Sequence, residues 1–396
     1  MSATTKPTPP PNLNSAEKRR RRLLLVILVG LSLLLLFVTF LFIRYLNKPE
    51  PLPELLPVPV EVTYPPHYLF SIYEVDGPVG VAASPQGDRI YVTEMRGDRL
   101  IKMFDNDGNL LGSFSPPRTT SGERSPVYIA TDSSGRVYVT DRLQHAIIVY
   151  DRDGNYLDTI LSPTLTLSEY VAKHTGSAPA PGSFSYNIFE EEVFYKDAEG
   201  NEQTLPRPDY ALWAPLGIRF DASDRMLLTD VTEDAHSVRV VPSDIVMSPN
   251  WLDFDLSAMQ FGASGQGDGQ FLFPNSAVVD SQDRVIVTDG NNGRLSVWNS
   301  QGGFLFHFGS GSGDGALSLP RGEAIDSRDR LHVVDAVGQN VKVYDFSGPE
   351  PGYLFSFGAM GVRNGQFNYP NDIALDDSGR LYVTDRENNR IQVWSY

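Results

Sequence analysis

Cysteine is absent from all 396 residues. That excludes disulfides, thiol catalysis and cysteine-ligated metals, and it leaves the redox compartment open. The chain has no Asn-x-Ser/Thr acceptor with a permitted middle residue, so N-glycosylation is not part of this molecule. Histidine is scarce: His67, His145, His174, His236, His307 and His332. Basic clusters are missing beyond residue 48, where 25 Lys and Arg face 48 Asp and Glu, a net of −23. So acidic a body repels nucleic-acid phosphate, and no nucleic-acid partner is expected. The glycine-rich stretches Gly262–Gly269 and Gly309–Gly315 lack a following Gly-Lys-Ser/Thr and open no helix, so they read as turns rather than phosphate cradles. No nucleophile-elbow signature supports Ser/His/Asp catalysis.

What is present begins with a charge asymmetry. Residues 1–48 hold eight basic residues against Glu17 alone, five of them in the run Lys18-Arg19-Arg20-Arg21-Arg22. Residues 1–22 read as a disordered, basic tail. Leu23–Ile43 follows without a charge. As a helix this run is about 31 Å long, enough to cross a bilayer. The sequence predicts one transmembrane helix over 23–45, with the basic cluster holding the N-terminus in the cytoplasm and the body outside. A cleaved signal peptide would have a shorter apolar region ending in a small-x-small site, so this run reads as an uncleaved signal anchor. Residues 46–66 carry seven prolines, from Pro49 to Pro66, and read as a semi-rigid polyproline-II spacer.

From residue 67 the chain is repetitive. An entry Pro opens six similar units, at Pro78, Pro126, Pro215, Pro274, Pro320 and Pro370. The last, PNDIALDDSGRLYVTDRENNRIQVW, parses into strands at Ile373–Leu375, Arg380–Thr384 and Arg390–Trp394, separated by Asp, Asn, Ser and Gly turns. Most units add an outer strand, such as Tyr156–Ile160, Phe304–Phe308 or Tyr353–Phe357, but the sixth runs out of chain at Tyr396. The segment His67–Ile72 looks like the outer strand Gly352–Phe357 and can complete that last unit, which closes a ring and removes two open edges. The expected fold is all-β: a six-bladed β-propeller over 67–396, preceded by one transmembrane helix. The repeated Pro-x-x-[IV]-A-x-D…Y-V-x-D pattern, followed by Asn turns such as Asn291-Asn292 and Asn388-Asn389, resembles the NHL-repeat family, and the loops GQGDGQF and GVRNGQF resemble that family's inter-blade turns. The resemblance spans about 67–396. It is strongest in the last three units and degraded in the third. It implies a membrane-anchored, bacterial type of propeller that serves as an extracytoplasmic sensor or interaction module.

Three groups of residues are candidates for chemistry. An acidic residue ends the second strand of every unit (Glu94, Asp141, Asp230, Asp289, Asp335, Asp385). Recurrence directly before a tight turn points to turn amides rather than to a metal ring. The Asp after the first strand, from Asp132 to Asp376, reads the same way. After the entry Pro, at the start of the innermost strand, the first three units are apolar, whereas the last three carry Asn275, Arg321, Glu323, Asn371 and Asp372. These five form the candidate ligand site at the channel mouth. Related amidating lyases would need several histidines on inner strands, and none follows an entry Pro; His332 reads as packing, His145 and His236 as surface turns. Lactonase-type propellers hold calcium with Glu and Asn oxygens, a set that Glu323, Asn275 and Asn371 imitate, so Ca2+ is the metal to test for. No other cofactor is expected. Finally, the stretch 162–213 interrupts the repeats, with a helix expected near 167–174 and an acidic hairpin over 185–205. Long insertions in repeat proteins gather on one face, often the binding face.

The expected function is a protein-binding scaffold or sensor module, contacting its partner through a propeller face or the 162–213 insertion. The alternative is a divalent-metal-dependent lyase or lactonase-type hydrolase working in the channel.

Overall fold

A computed structural model describes residues 15–47, 64–242 and 260–396. The chain divides into two compact units, 1–50 and 51–396. The first is a single helix, Ser15–Asn47. Over Arg22–Phe40 it is long and apolar enough to cross a membrane, by length and composition. The described apolar side chains from Leu23 to Ile43 are exposed. Its two internal hydroxyls do not disturb it: Ser32 Oγ donates to Leu28 O at 2.9 Å and Thr39 Oγ1 to Leu35 O at 2.8 Å. The helix starts eight residues earlier than the apolar run, so Lys18–Arg22 is helical rather than part of a disordered tail. Ala16, Glu17, Lys18 and the arginines are good helix formers and extend a helix that the apolar run nucleates. The expected disorder of residues 1–14 and nearly all of the Pro-rich spacer lie outside the described residues.

The second unit is a ring of blades. Among the described residues, six sheets run antiparallel from an inner to an outer strand. Blade 1 contains Pro78–Ala83, Arg89–Glu94, Ile101–Asp105 and Leu110–Phe114. The inner strands of blades 2 to 6 are Pro126–Thr131, Pro215–Phe220, Pro274–Val279, Pro320–Ile325 and Pro370–Leu375. Each inner strand touches its two neighbours in sequence order, and that of blade 6 touches that of blade 1, so the ring is closed. His67–Ile72 is the outer strand of blade 6, running antiparallel to Arg390–Ser395 with His67 opposite Ser395 and Ile72 opposite Ile391. In blade 3 the outer strand is reduced to Gln260–Phe261.

The apolar core is not central. It lies between blades, because each sheet is buried on both faces by its neighbours. One cluster joins Val81, Ile90, Val92 and Phe104 of blade 1 to Leu69, Ile72, Tyr382, Ile391 and Val393 of blade 6. Another joins Ile147 and Val149 of blade 2 to Ile218, Met226 and Leu228 of blade 3. This double burial explains the near-continuous apolar second and third strands.

Both sets of recurrent carboxylates hold turns. Asp141 accepts from the amides of Ser125, Leu143 and Gln144. Asp385 accepts from Asn368 N, Asn388 Nδ2, Arg390 Nε and Gln392 Nε2. The earlier Asp accepts from the amide four residues on, as Asp280 does from Arg284 at 2.9 Å, and the same arginine's Nε clamps the other oxygen at 2.6 Å.

The 162–213 insertion packs on the outer strand of blade 2, in a cluster that joins Leu161 of that strand to Leu167, Tyr170, Val171, Phe184, Tyr186 and Val193. Its helix is Leu167–Thr175, with Thr166 accepting from Glu169 N at the N-cap and Gly176 in the left-handed conformation at its end. Its sheet pairs Phe184–Ser185 with Glu192–Lys196 and the latter with Glu202–Pro206. Leu165–Thr166 adds to the outer edge of blade 2. The buried Asp158 of that edge accepts from Ser168 N and Oγ at the helix start, and burial pushes its carboxyl up to about 7.

Candidate functional site

The centre of the ring is built by a repeated irregularity. In every blade the pairing slips between the entry Pro and the third residue after it. The two residues between leave the ladder, and a threonine of the second strand replaces the lost bond. Thr93 Oγ1 accepts from Gly80 N at 2.8 Å, Thr140 from Tyr128 N at 3.1 Å, Thr229 from Gly217 N at 2.7 Å, Thr288 from Ser276 N at 2.9 Å and Thr384 from Asp372 N at 2.8 Å. Four of these hydroxyls donate onward to the next blade: Thr93 to Val127 O at 2.5 Å, Thr140 to Leu216 O and Thr288 to Arg321 O, each at 2.7 Å, and Thr384 to Val79 O at 3.3 Å. Blade 5 has Val334 at this position. The blades approach so closely here that a Cβ on Gly217 would sit 2.0 Å from Asn275 O, and one on Gly322 2.0 Å from Asp372 Oδ1.

Into this tight ring project the five candidate residues. Four are buried (Asn275, Glu323, Asn371 and Asp372); Arg321 is partly exposed. They therefore pack in the interior more than they line an open mouth. Arg321 Nη1 donates to Asn275 Oδ1 at 2.8 Å, and Asn275 Nδ2 to Phe273 O at 2.8 Å. Asn371 Nδ2 donates to Val79 O at 3.0 Å, and Asp372 Oδ2 accepts from Val81 N at 3.0 Å, which fastens blade 6 to blade 1.

The residue that organises the group is Arg219, on the inner strand of blade 3, which the sequence reading passed over. Its guanidinium forms an ion pair with Asp372 across the ring. It also donates to Glu323 O at 3.3 Å, Ile129 O at 3.4 Å and Ile373 O at 3.3 Å, touching blades 2, 5 and 6. A signal was present: the other units have Ala82, Ala130, Val278, Ala324 and Ala374 at this position. Glu323 is likewise an acid where other blades have Val81, Ile129, Ile218, Ala277 and Ile373.

Glu323 is fully buried, and no side chain among the described residues bonds its carboxyl oxygens. Burial raises its pKa well above the ordinary value of 4.5, with the Arg219 charge opposing. A folded-state pKa above the unfolded one means that the native chain holds this proton more tightly, so Glu323 withdraws stability as pH rises beyond 4.5. Glu323→Gln keeps the shape without the charge. The variant is expected to match the parent in acid and to equal or exceed it at neutral pH, giving a flatter profile of urea midpoints between about pH 4.5 and 8. A profile as steep as the parent's would show that Glu323 does not carry the proton.

The histidines do not gather. His332 is buried, its Nε2 2.6 Å from Tyr396 Oη, and burial pushes its pKa down to about 4. His145 shares Nδ1 with Trp213 O at 2.9 Å. His236 differs from expectation: it is buried, with Nδ1 3.3 Å from both Phe271 O and Phe273 N, because the following inter-blade loop folds over it. Among the described residues no three His, Cys, Asp or Glu side chains come together as metal ligands.

The last and fourth blades share a further device. Asp289 accepts from Asn292 Nδ2 and Arg294 Nε, and Asp385 from Asn388 Nδ2 and Arg390 Nε; the asparagines also donate to Gly265 O and Gly361 O of the preceding loop. The NHL repeat family matches residues 271–298 and 367–394, the two segments that contain this clip. The chain carries NHL repeats in the fourth and sixth blades of its propeller. Drosophila melanogaster Protein brain tumor is 40% identical over 50 residues, 13% of this chain and 5% of that protein. Among solved structures, a Bacteroides thetaiotaomicron protein of unknown function matches with a TM-score of 0.51 at 14% identity, covering 84% of this chain and 72% of its own. A streptogramin B lyase structure matches with a TM-score of 0.49 at 10% identity, covering 83% and 98%, and a Staphylococcus aureus virginiamycin B lyase with quinupristin with a TM-score of 0.49 at 12%, covering 84% and 98%.

Proposed function

We propose that this chain is a single-pass membrane protein that presents its NHL-repeat propeller outside the cell membrane as a protein-binding scaffold or sensor module. The basic cluster before the apolar helix supports a cytoplasmic N-terminus, and the −23 body supports a protein rather than a nucleic-acid partner. The observation that carries the reading is the insertion. It is an ordered appendage packed on blade 2, and its edge strand, Glu202–Pro206, leaves Glu202, Gln203, Thr204 and Pro206 exposed, as is Phe189. An enzyme in the channel has less support: the carboxylate Asp372 is committed to Arg219, and a dication beside Asn275 and Asn371 would face the guanidiniums of Arg219 and Arg321.

The test is crosslinking of the full chain in its own membrane, identification of the partner, and binding of that purified partner to the parent and to a variant with residues 163–212 replaced by a Gly-Ser linker. Trp213 is retained because it packs between blades 2 and 3. The variant is expected to lose binding while its propeller stays folded, at a midpoint lowered by the uncovering of Leu161 and Asp158 of blade 2. Full binding by the variant would remove the insertion from the reading. Metal analysis of the same preparation decides the alternative: one equivalent of calcium or zinc, lost on Glu323→Gln or Asn371→Ala, would replace the scaffold reading with a metalloenzyme.

A further inference from the structure

One titratable group lies on the joint between the insertion and the ring. Asp158 is in the middle of Tyr156–Ser162, the outer strand of blade 2. It pairs with Val149, as Phe306 pairs with Val297 in blade 4, Phe355 with Val343 in blade 5 and Phe70 with Val393 in blade 6. Three blades therefore place a phenylalanine where blade 2 has an acid. Those phenylalanines are partly exposed, whereas Asp158 is 4% exposed. The insertion makes the difference. Its helix, Leu167–Thr175, packs against this strand and carries Leu167 and Val171 into the cluster with Leu161.

The acid is tied to the start of that helix. Asp158 Oδ1 accepts from Ser168 N at 3.1 Å and from its own neighbour Thr159 N at 2.7 Å, and Oδ2 accepts from Ser168 Oγ. Burial outweighs these bonds and raises the carboxyl to about 7; the Ser168 hydroxyl and the two amides oppose the rise, and no charged side chain takes part in it. The titratable groups on the elements packed here are few. Tyr156 of the same strand has its phenol 2.8 Å from Thr159 Oγ1, and Tyr150 lies on the next strand inward. The helix carries the Glu169–Lys173 ion pair, Tyr170 and His174, whose Nδ1 is 2.8 Å from Tyr170 O. The short strands Leu165–Thr166 and Phe184–Ser185 bring none.

The direction of the coupling follows from where the proton is held. With the helix docked, Asp158 keeps its proton up to about pH 7; with the helix lifted away, water reaches the carboxyl and its affinity falls back toward the ordinary 3.8. The docked form binds the proton more tightly. Docking therefore has its full strength below pH 3.8, weakens as pH rises, and has lost this contribution above about 7.

We propose that Asp158 is a proton-operated catch, which holds the insertion's helix on blade 2 when protonated and loosens it when ionised. The catch stands on the joint between helix and strand. Its bearing on partner binding rests on the scaffold reading, in which the insertion is fixed in acid and loosened near neutrality.

The experiment is hydrogen exchange of the full chain in detergent micelles, followed by mass spectrometry on peptides from 163–176 between about pH 5 and 8, with each rate corrected for the intrinsic pH dependence of amide exchange. The opening constant of the helix is expected to rise by about tenfold per pH unit and to level off at about pH 7. Peptides covering Val137–Asp141 of the same blade should show no such rise. Asp158→Asn keeps the shape and an uncharged partner for Ser168; its opening constant should not vary with pH and should lie below the parent's at pH 8. His174→Gln should keep the parent's slope. Should Asp158→Asn not fold, Ser168→Ala decides: it removes a donor to the ionised form, so the levelling-off should move above pH 7. An opening constant that does not vary with pH in the parent, a slope that survives Asp158→Asn or vanishes in His174→Gln, or an unmoved levelling-off in Ser168→Ala overturns the proposal. None of these outcomes bears on the scaffold reading, which is decided by partner binding to the chain without its insertion.

Discussion

Replacing His67–Ile72 by a Gly-Ser sequence of equal length is expected to cost at least about 4 kcal/mol, a large part of the 5–15 kcal/mol that typically separates folded from unfolded domains. Two terms make up the loss. Leu69 and Ile72 are 9% and 1% exposed within the cluster between blades 6 and 1, and burying such a side chain contributes roughly 2 kcal/mol. The replacement also weakens the ladder to Arg390–Ser395 and uncovers an edge strand that contains Ile391, Val393 and Trp394. Tyr68, edge-on to Trp394 at 5.9 Å, is lost as well. The control is the outer strand of blade 1, Leu110–Phe114, whose side chains are mostly exposed. The same replacement there should cost far less. Denaturant midpoints and the onset of proteolysis measure both. Equal losses would mean that His67–Ile72 is an ordinary outer strand and that the ring is not held shut by it.

That strand was legible because His67–Ile72 copies Gly352–Phe357 in pattern and because a ring with a missing edge strand has one place to find it. The turn carboxylates were legible for a related reason: a residue needed once per blade recurs once per blade. The centre was only half legible. Asn275, Arg321, Glu323, Asn371 and Asp372 stood out as polar residues just after an entry Pro, but their burial did not, since it depends on the slip in pairing and on Gly217 and Gly322 admitting the next blade. Arg219 was missed although it replaces a small aliphatic residue found in all the other units. A lone arginine in a strand is most often a surface residue, and only the closed ring brings it to the Asp372 of blade 6. The threonine before the acidic residue, in five of the six units, was likewise readable as a position and unreadable as an inter-blade latch.

Arg219→Met is expected to cost roughly 3–5 kcal/mol, the range for removing one partner of a buried ion pair. The side chain is nearly as long and packs in the same space, so the loss isolates the charge and its bonds to carbonyls, three of them on other blades. Asp372 is then left buried with the Val81 amide as its remaining donor outside its own strand. Asp372→Asn should also destabilise, because Arg219 keeps its charge without its ion-pair partner. Combined, the two substitutions remove both charges, and the double variant should be more stable than the sum of the singles by about 1–3 kcal/mol. The pH dependence identifies the cause. Burial already holds the Asp372 carboxyl above its ordinary value of 3.8, and Arg219 opposes that rise. Without Arg219 the folded-state pKa climbs further, the native state binds the proton more tightly than the unfolded one over a wider range, and stability is lost as pH rises through that range. The deficit of Arg219→Met should therefore be small near pH 3.8, where Asp372 is readily protonated in both states, and grow toward neutrality. A deficit that is constant with pH and additive with Asp372→Asn would mean that Arg219 stabilises the ring by its carbonyl bonds and packing, with the ion pair contributing nothing.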